Sequence, residues 1–394
     1  VLHVKLESMS AWGWKLSLLV SGALVATALA QAPGSDQVKA PLTTREYLAH
    51  ENWWPTKQFA DQSQFAGTQA CAACHEGIVR SQSTTQMALT MTPAANSRIL
   101  ASHTGEIFTS GNYRYAIEKS GNSFLQTVSD GSAKRTDILQ WAFGSGFTAQ
   151  AYFWWHNGQP YESRYNYFPT AGQFDRTPGR LQGAPVSLDM AEGRLVAEFE
   201  ARRCLACHAT ALTTAEPLTA AQFHPGVSCE ACHGPGLAHV EAMKSKTSTD
   251  LQIVSPARLK PAQAVDFCGA CHGAPRDVVL AGTVGKITVR FPAYRLVKSR
   301  CWGTNGDARL TCFACHDPHK PLEHDSAAYD VACLRCHANG GTGSENVRAH
   351  QAACPVAKSR CTSCHMPKVN VAEMHYDVTD HDIRIVKANA PFPN

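Results

Sequence analysis

Past its first thirty residues the chain has no apolar run approaching the roughly 20 residues a membrane-spanning helix needs, so no such helix is expected downstream. No cysteine follows Ala28-Leu29-Ala30, so a lipid anchor is not indicated there. A strong excess of either charge is also missing: 36 Lys and Arg against 32 Asp and Glu give a formal +4. Spare cysteine is scarce, because of sixteen only Cys301 and Cys354 stand outside one repeated use.

That use is a five-residue word, Cys-x-x-Cys-His, present seven times. The copies are Cys71/Cys74/His75, Cys204/Cys207/His208, Cys229/Cys232/His233, Cys268/Cys271/His272, Cys312/Cys315/His316, Cys333/Cys336/His337 and Cys361/Cys364/His365. This chain's own Cys and His frequencies would yield roughly 0.03 copies by chance. In such a word two thiols form thioethers to a haem and the adjacent His ligates its iron. A zinc ribbon would pair Cys-x-x-Cys units without a His after each, and a redox dithiol occurs once per domain. The sequence therefore predicts seven covalently bound haem c groups, with the seven motif His as proximal ligands.

Haem attachment of this kind takes place outside the cytoplasm. Met9, the basic Lys15, the apolar stretch Leu16 to Leu29 and the small residues Ala28-Leu29-Ala30 before Gln31 read as a cleaved export signal. Residues 1–30 are expected to be a leader, which places the mature chain in the periplasm or outside the cell. What remains is 364 of 394 residues, about 52 per haem, so the haems must form much of the core. Setting aside Lys5, Lys15 and Glu7 leaves 34 basic and 31 acidic residues. With about fourteen propionates the holoprotein is net acidic, and nucleic acid is excluded as the partner that basicity would suggest. Cys301 and Cys354 each precede a motif; in an oxidising compartment a mutual disulfide is expected, against free thiols or a bond to another chain.

The first motif begins 133 residues before the second, and later gaps are 25, 39, 44, 21 and 28. This divides the chain into a one-haem region, 31–190, and a six-haem module, 191–394. In the long gap, runs at Tyr113–Lys119, Ser123–Ser129, Ile138–Phe143 and Ala151–Trp155, with an Asn157-Gly158 turn, predict a small antiparallel β-unit over about 105–168. Met190–Arg203, Gly236–Lys246 and Pro261–Phe267 carry helical patterns beside motifs. The expected fold is mainly α and loop-rich, with that one β-unit in its N-terminal half.

A haem that only carries electrons is usually six-coordinate, whereas one that binds substrate keeps a position open. Ten spare His outside the leader could close all seven: His50, His103, His156, His224, His239, His319, His324, His350, His375 and His381. His239 and His319 lie too soon after His233 and His316 to cross their own macrocycle, so each is expected to ligate a neighbouring haem. His350, His375 and His381 bracket the last motif, and His103 and His224 complete the set of candidate distal ligands. His50, His156 and His324 read as surface residues. Met87 is a candidate for the first haem, though Met at that spacing also fits helix packing.

The stretch Val227-Ser228-Cys229-Glu230-Ala231-Cys232-His233-Gly234-Pro235-Gly236 with His239 resembles exported multihaem cytochromes c. Cys315-His316-Asp317-Pro318-His319, Cys364-His365-Met366-Pro367-Lys368 and Asp380-His381-Asp382-Ile383-Arg384 extend the likeness, and Thr85-Gln86-Met87 adds to it weakly. The family is that of the tetrahaem electron carrier of hydroxylamine oxidation and, more distantly, of octahaem and pentahaem nitrogen-cycle reductases. The resemblance implies closely stacked haem pairs, with His239, His319 and His381 as distal ligands and Met87 as another candidate. It leaves catalysis open, since the family holds carriers and enzymes. Pentahaem nitrite reductases place Lys at one motif His; here all seven are His. An electron carrier acting with redox partner proteins is the favoured reading. The alternatives are an oxidoreductase of a small nitrogen or sulfur oxyanion with one open haem, and self-association through haem-bearing ends into a conductive filament.

Overall fold

The computed structural model describes residues 61–179, 183–246, 250–302, 310–337, 354–387 and 392–393. The expected leader, His50 and His350 lie outside the described residues.

Aromatic and β-branched residues in the long gap between the first two motifs build two antiparallel sheets. The first joins β2 (Ile107–Ser110), β3 (Tyr113–Ser120), β4 (Ser123–Ser129) and β5 (Lys134–Leu139) in sequential order. Strand β4 alternates between buried and half-buried positions, and Phe124, Gln126 and Val128 face inward. The second sheet runs β1 (Met91–Pro93), β6 (Trp141–Phe143), β7 (Ala151–His156), β8 (Gln159–Ser163) and β11 (Gly193–Leu195). A two-residue turn joins β7 to β8, with Asn157 at φ 51° and Gly158 at φ 75°, the left-handed pair that a tight hairpin requires. A hairpin of β9 (Tyr165–Phe168) and β10 (Gln173–Arg176) lies beside them.

These strands correct the expectation of a mainly α chain. Helices of all kinds hold 38% of the described residues and strands 22%, in several sheets. The reason is physical: a stretch with few haems must bury its own side chains. It does so with Trp154, Tyr152, Phe124 and Leu139 in one cluster, and with Tyr113, Tyr115, Val128 and Tyr165 in another. Two local expectations change with it. The run Ile138–Phe143 breaks at Gln140, leaving β5 and β6 in different sheets. The helical pattern from Met190 is interrupted where Gly193–Leu195 pairs with β8, and the helix resumes at Glu198–His208. A Cβ on Gly193 would stand 2.3 Å from the Glu162 carbonyl oxygen, so only glycine permits that approach.

The sheet region and the second motif share a core. Phe143 and Phe153 pack with Leu205, Ala201 and Val196 around the Glu198–His208 helix. Further along, short helices carry the remaining motifs, and Val265, Ala293, Leu296 and Trp302 form a small cluster of their own. A last hairpin, Lys368–Val371 with Tyr376–Thr379, follows the seventh motif. No helix among the described residues is long and apolar enough to cross a membrane.

Candidate functional site

Six of the seven motifs lie in α-helices and the fifth opens with a 3-10 turn, Cys312–Ala314. Helical spacing places the two thiols, three residues apart, on one face. The His ends the helix in Glu198–His208, Cys229–His233, Pro261–His272, Asp330–His337 and Cys361–His365, while in Thr68–Gln82 it marks a kink, with His75 at φ −117° and ψ 35°. Gly234 and Gly273, both at positive φ, stop two of these helices directly after the His.

Three motif imidazoles face a second imidazole from elsewhere in the chain. His75 faces His239 with ring centroids 6.5 Å apart and planes 18° apart. His233 faces His319 at 6.0 Å and 11°, and His316 faces His381 at 6.3 Å and 40°. A metal held by one nitrogen of each ring at about 2 Å separates the centroids by about 6 Å, so each gap has the size that an axially ligated iron needs.

Several motif and facing imidazoles have their Nδ1 engaged by the protein. Nδ1 of His208 lies 3.0 Å from the Thr90 carbonyl and 2.8 Å from its hydroxyl. Nδ1 of His233 meets the Val254 carbonyl at 2.7 Å, His365 that of Arg384 at 2.9 Å, His239 that of Leu251 at 2.5 Å and His381 that of Thr379 at 3.1 Å. A carbonyl only accepts, so Nδ1 carries the proton in each and the Nε2 lone pair is free for a metal. His319 instead sets Nδ1 3.4 Å from the Asp317 carboxylate. Burial pushes the imidazoles of His208, His233, His272 and His316 below their ordinary pKa, and that of His381 to about 4. Neutral imidazole is the ligating form.

The motifs approach one another in a regular way. The Cys71 thiol hydrogen-bonds with Cys229, and Cys268 with Cys312; Cys333 and Cys361 interact likewise. In all three contacts the first cysteine of one motif meets the first cysteine of another, pairing motifs one and three, four and five, six and seven. The second motif stands apart from this scheme, with Cys207 Sγ 3.6 Å from the Ala270 carbonyl inside the fourth. Cys232 and Cys268, and Cys315 and Cys333, lie within electrostatic reach and link one pair to the next.

The second cysteines of three motifs stand outside these contacts. Cys74, Cys271 and Cys336, each expected to attach haem, take no part in the three contacts between first cysteines. Cys74 is exposed on the Thr68–Gln82 helix, Cys336 is half-buried in Asp330–His337, and Cys271 is half-buried in Pro261–His272 within electrostatic reach of Cys268 of its own motif. The reason is helical rise: three residues carry the second thiol about 4.5 Å further along the axis, past the point where the first meets its counterpart. The assignment of Cys74, Cys271 and Cys336 to haem therefore rests on the Cys-x-x-Cys-His word and not on a contact between motifs.

Other candidates sit elsewhere. His103 holds the Glu106 carboxylate and packs at 4.2 Å on Tyr167. His375 sets Nε2 2.8 Å from Asp175 and its ring against Phe168, tying the last hairpin to β10. His324 stacks on Phe147 at 4.7 Å, and His224 is exposed on the two-residue strand His224–Pro225. The backbone carbonyl of Met87 accepts from Thr90 and from Val227. Cys301 is exposed within electrostatic reach of Cys315 and Cys333, and Cys354 is exposed.

Three elements of the site went unread in the sequence: Thr90 behind His208, the ion cluster around Arg295, and two buried carboxylates, Glu230 and Asp330. Arg295 is bonded to Asp380 and Asp382, the neighbours of His381, and Ser299 Oγ donates to the His381 carbonyl at 3.0 Å. Glu230 accepts from three backbone amides and Asp330 from two. Only Glu230 lies inside a motif; the others carry no local signal.

The residues fit covalent haem: paired thiols on helical faces, imidazoles held with Nε2 free, and imidazole pairs an iron's width apart. No curated protein matches the chain. It is similar to a solved structure described as outer cell wall cytochrome OcwA, at 13% identity and a TM-score of 0.48, covering 82% of this chain and 80% of that one. Residues 184–234, which contain the second and third motifs, match the family model described as cytochrome c554 and c-prime. That match falls on two of the chain's own Cys-x-x-Cys-His words and supports its reading as a multihaem cytochrome c.

Proposed function

We propose that the chain is an exported heptahaem electron carrier working between redox partner proteins in the periplasm or at the cell exterior. When bound, haem c supplies reversible one-electron chemistry. The observation that carries the reading is the set of three imidazole pairs, His75 with His239, His233 with His319 and His316 with His381. Six-coordinate closure suits carriage rather than substrate binding. On this reading His239, which faces His75, is the distal ligand of the first haem in place of the candidate Met87. The approaches between motifs support continuity: one meets three, four meets five and six meets seven, three and four as well as five and six lie within electrostatic reach, and two stands beside four. The protein's part is to fix these approaches and to tune each iron through ligand basicity and burial. On this reading residues 31–190 bring the first motif and 191–394 the other six.

Haem count by intact mass and pyridine haemochrome, with EPR of the oxidised protein, tests the proposal. Seven haems and dominant low-spin signals are expected. Strong high-spin signal with CO binding to the reduced protein, or turnover of nitrite or hydroxylamine, would overturn it.

A further inference from the structure

Two carboxylates join motif helices that are far apart in sequence. Glu230, inside the third motif, is 2% exposed. Its Oε1 accepts from Ala66 N at 2.7 Å and Gly236 N at 2.7 Å, and its Oε2 from Gly67 N at 3.0 Å. Ala66 and Gly67 lead directly into the Thr68–Gln82 helix that carries the first motif, and Gly236 begins the helix that carries His239. One side chain thus holds both ends of the His75–His239 arrangement and the Cys71–Cys229 contact.

Asp330 repeats the device at the other end of the chain. It lies at the start of the sixth motif's helix and is buried, with Oδ2 accepting from Arg360 N at 2.6 Å and Oδ1 from Cys361 N at 2.8 Å. Those amides begin the seventh motif's helix. In both places the motifs so joined are a pair whose first cysteines meet.

We infer that Glu230 and Asp330 are positioning residues that set how closely paired haem motifs approach, Glu230 for the first and third and Asp330 for the sixth and seventh. The inference rests on the multihaem reading above. A carboxylate serves because both oxygens accept; in Gln or Asn one becomes an NH2 group, which points a donor at a backbone donor. Neither residue has to touch haem for this.

The test uses holoprotein variants Glu230→Gln and Asp330→Asn, with the exposed Glu76→Gln on the first motif's helix as control. Intact mass first establishes haem number, so loss of the multihaem reading shows in the wild type before any variant is compared. With seven haems retained, Glu230→Gln is expected to shift the potentials and change the EPR line shape of the haems at Cys71/Cys74 and Cys229/Cys232. Asp330→Asn should do the same for those at Cys333/Cys336 and Cys361/Cys364, and Glu76→Gln should change neither. Fully loaded variants with wild-type spectra and potentials would overturn the inference. If only one variant accumulates, it decides the question at its own pair. If neither takes up haem, the residues act in folding or maturation and the positioning role falls.

Discussion

Arg295 and Asp380 form a two-pronged ion pair, Nε to Oδ1 at 2.8 Å and Nη2 to Oδ2 at 2.9 Å, and neither side chain reaches solvent. Arg384 adds a second cation to the same carboxylate at 2.6 Å. The cluster brackets His381, whose ring faces His316.

Replacing Arg295 by Met removes one partner and leaves Asp380 buried beside a single remaining cation. The expected cost is about 3–5 kcal/mol, larger than that of losing both partners together, because an uncompensated buried carboxylate is the main penalty. Chemical denaturation of Arg295→Met against the double variant Arg295→Met/Asp380→Leu measures the difference.

His239→Ala, His319→Ala and His381→Ala should each open one iron. Each variant is expected to gain one haem's worth of high-spin ferric signal and to bind one CO when reduced, whereas His103→Ala and His375→Ala should gain neither. EPR and CO titration of the purified variants check this. A variant of the first group that stayed wholly low-spin would remove that residue from the ligand set.

Thr90 places both its carbonyl and its hydroxyl on Nδ1 of His208. Such bonds raise imidazole basicity and favour ferric iron. Thr90→Val deletes the hydroxyl at nearly constant volume. A hydrogen bond of about 1 kcal/mol corresponds to about 40 mV for one electron. One potential should therefore rise by up to about 40 mV, measured by spectroelectrochemical titration.

Burial, with the Asp137 carboxyl beside it, pushes the Glu192 carboxyl up to about 7. Its folded pKa is raised above the ordinary 4.5, so between those values the folded state holds a proton that the unfolded state has released. Stability contributed there is fully present below about 4.5 and is lost as pH rises through about 7. Urea midpoints across that range should fall with pH, and Glu192→Gln should flatten the slope.

The seven motifs were legible because each is written in five adjacent residues, and the covalent chemistry needs that local order. Their spatial pairing was not: Cys71 and Cys229 meet through a long excursion of chain, and no local pattern encodes it. Nor does the word distinguish its two thiols, so the difference between Cys71 in a contact and Cys74 exposed beside it emerges only once helices are packed. The β-sheet content was underestimated for a related reason. Strands such as β1, β6 and β11 are three residues long, too short for alternation to show, and exist only because a partner strand arrives in register. Residue type makes His103 a candidate ligand, and its place beside the last motif makes His375 one. The acids beside them, Glu106 and Asp175, are what the structure adds, and only the first is near in sequence.

Every imidazole that faces a motif His comes later in the chain than the motif it faces: His239 after His75, His319 after His233, His381 after His316. Each of these three motifs is therefore made before the imidazole that faces it. On the proposed reading, then, three motifs are closed by segments that lie beyond a later motif. A chain truncated from its C-terminal end would lose closure upstream of the cut, at motifs whose own residues are intact.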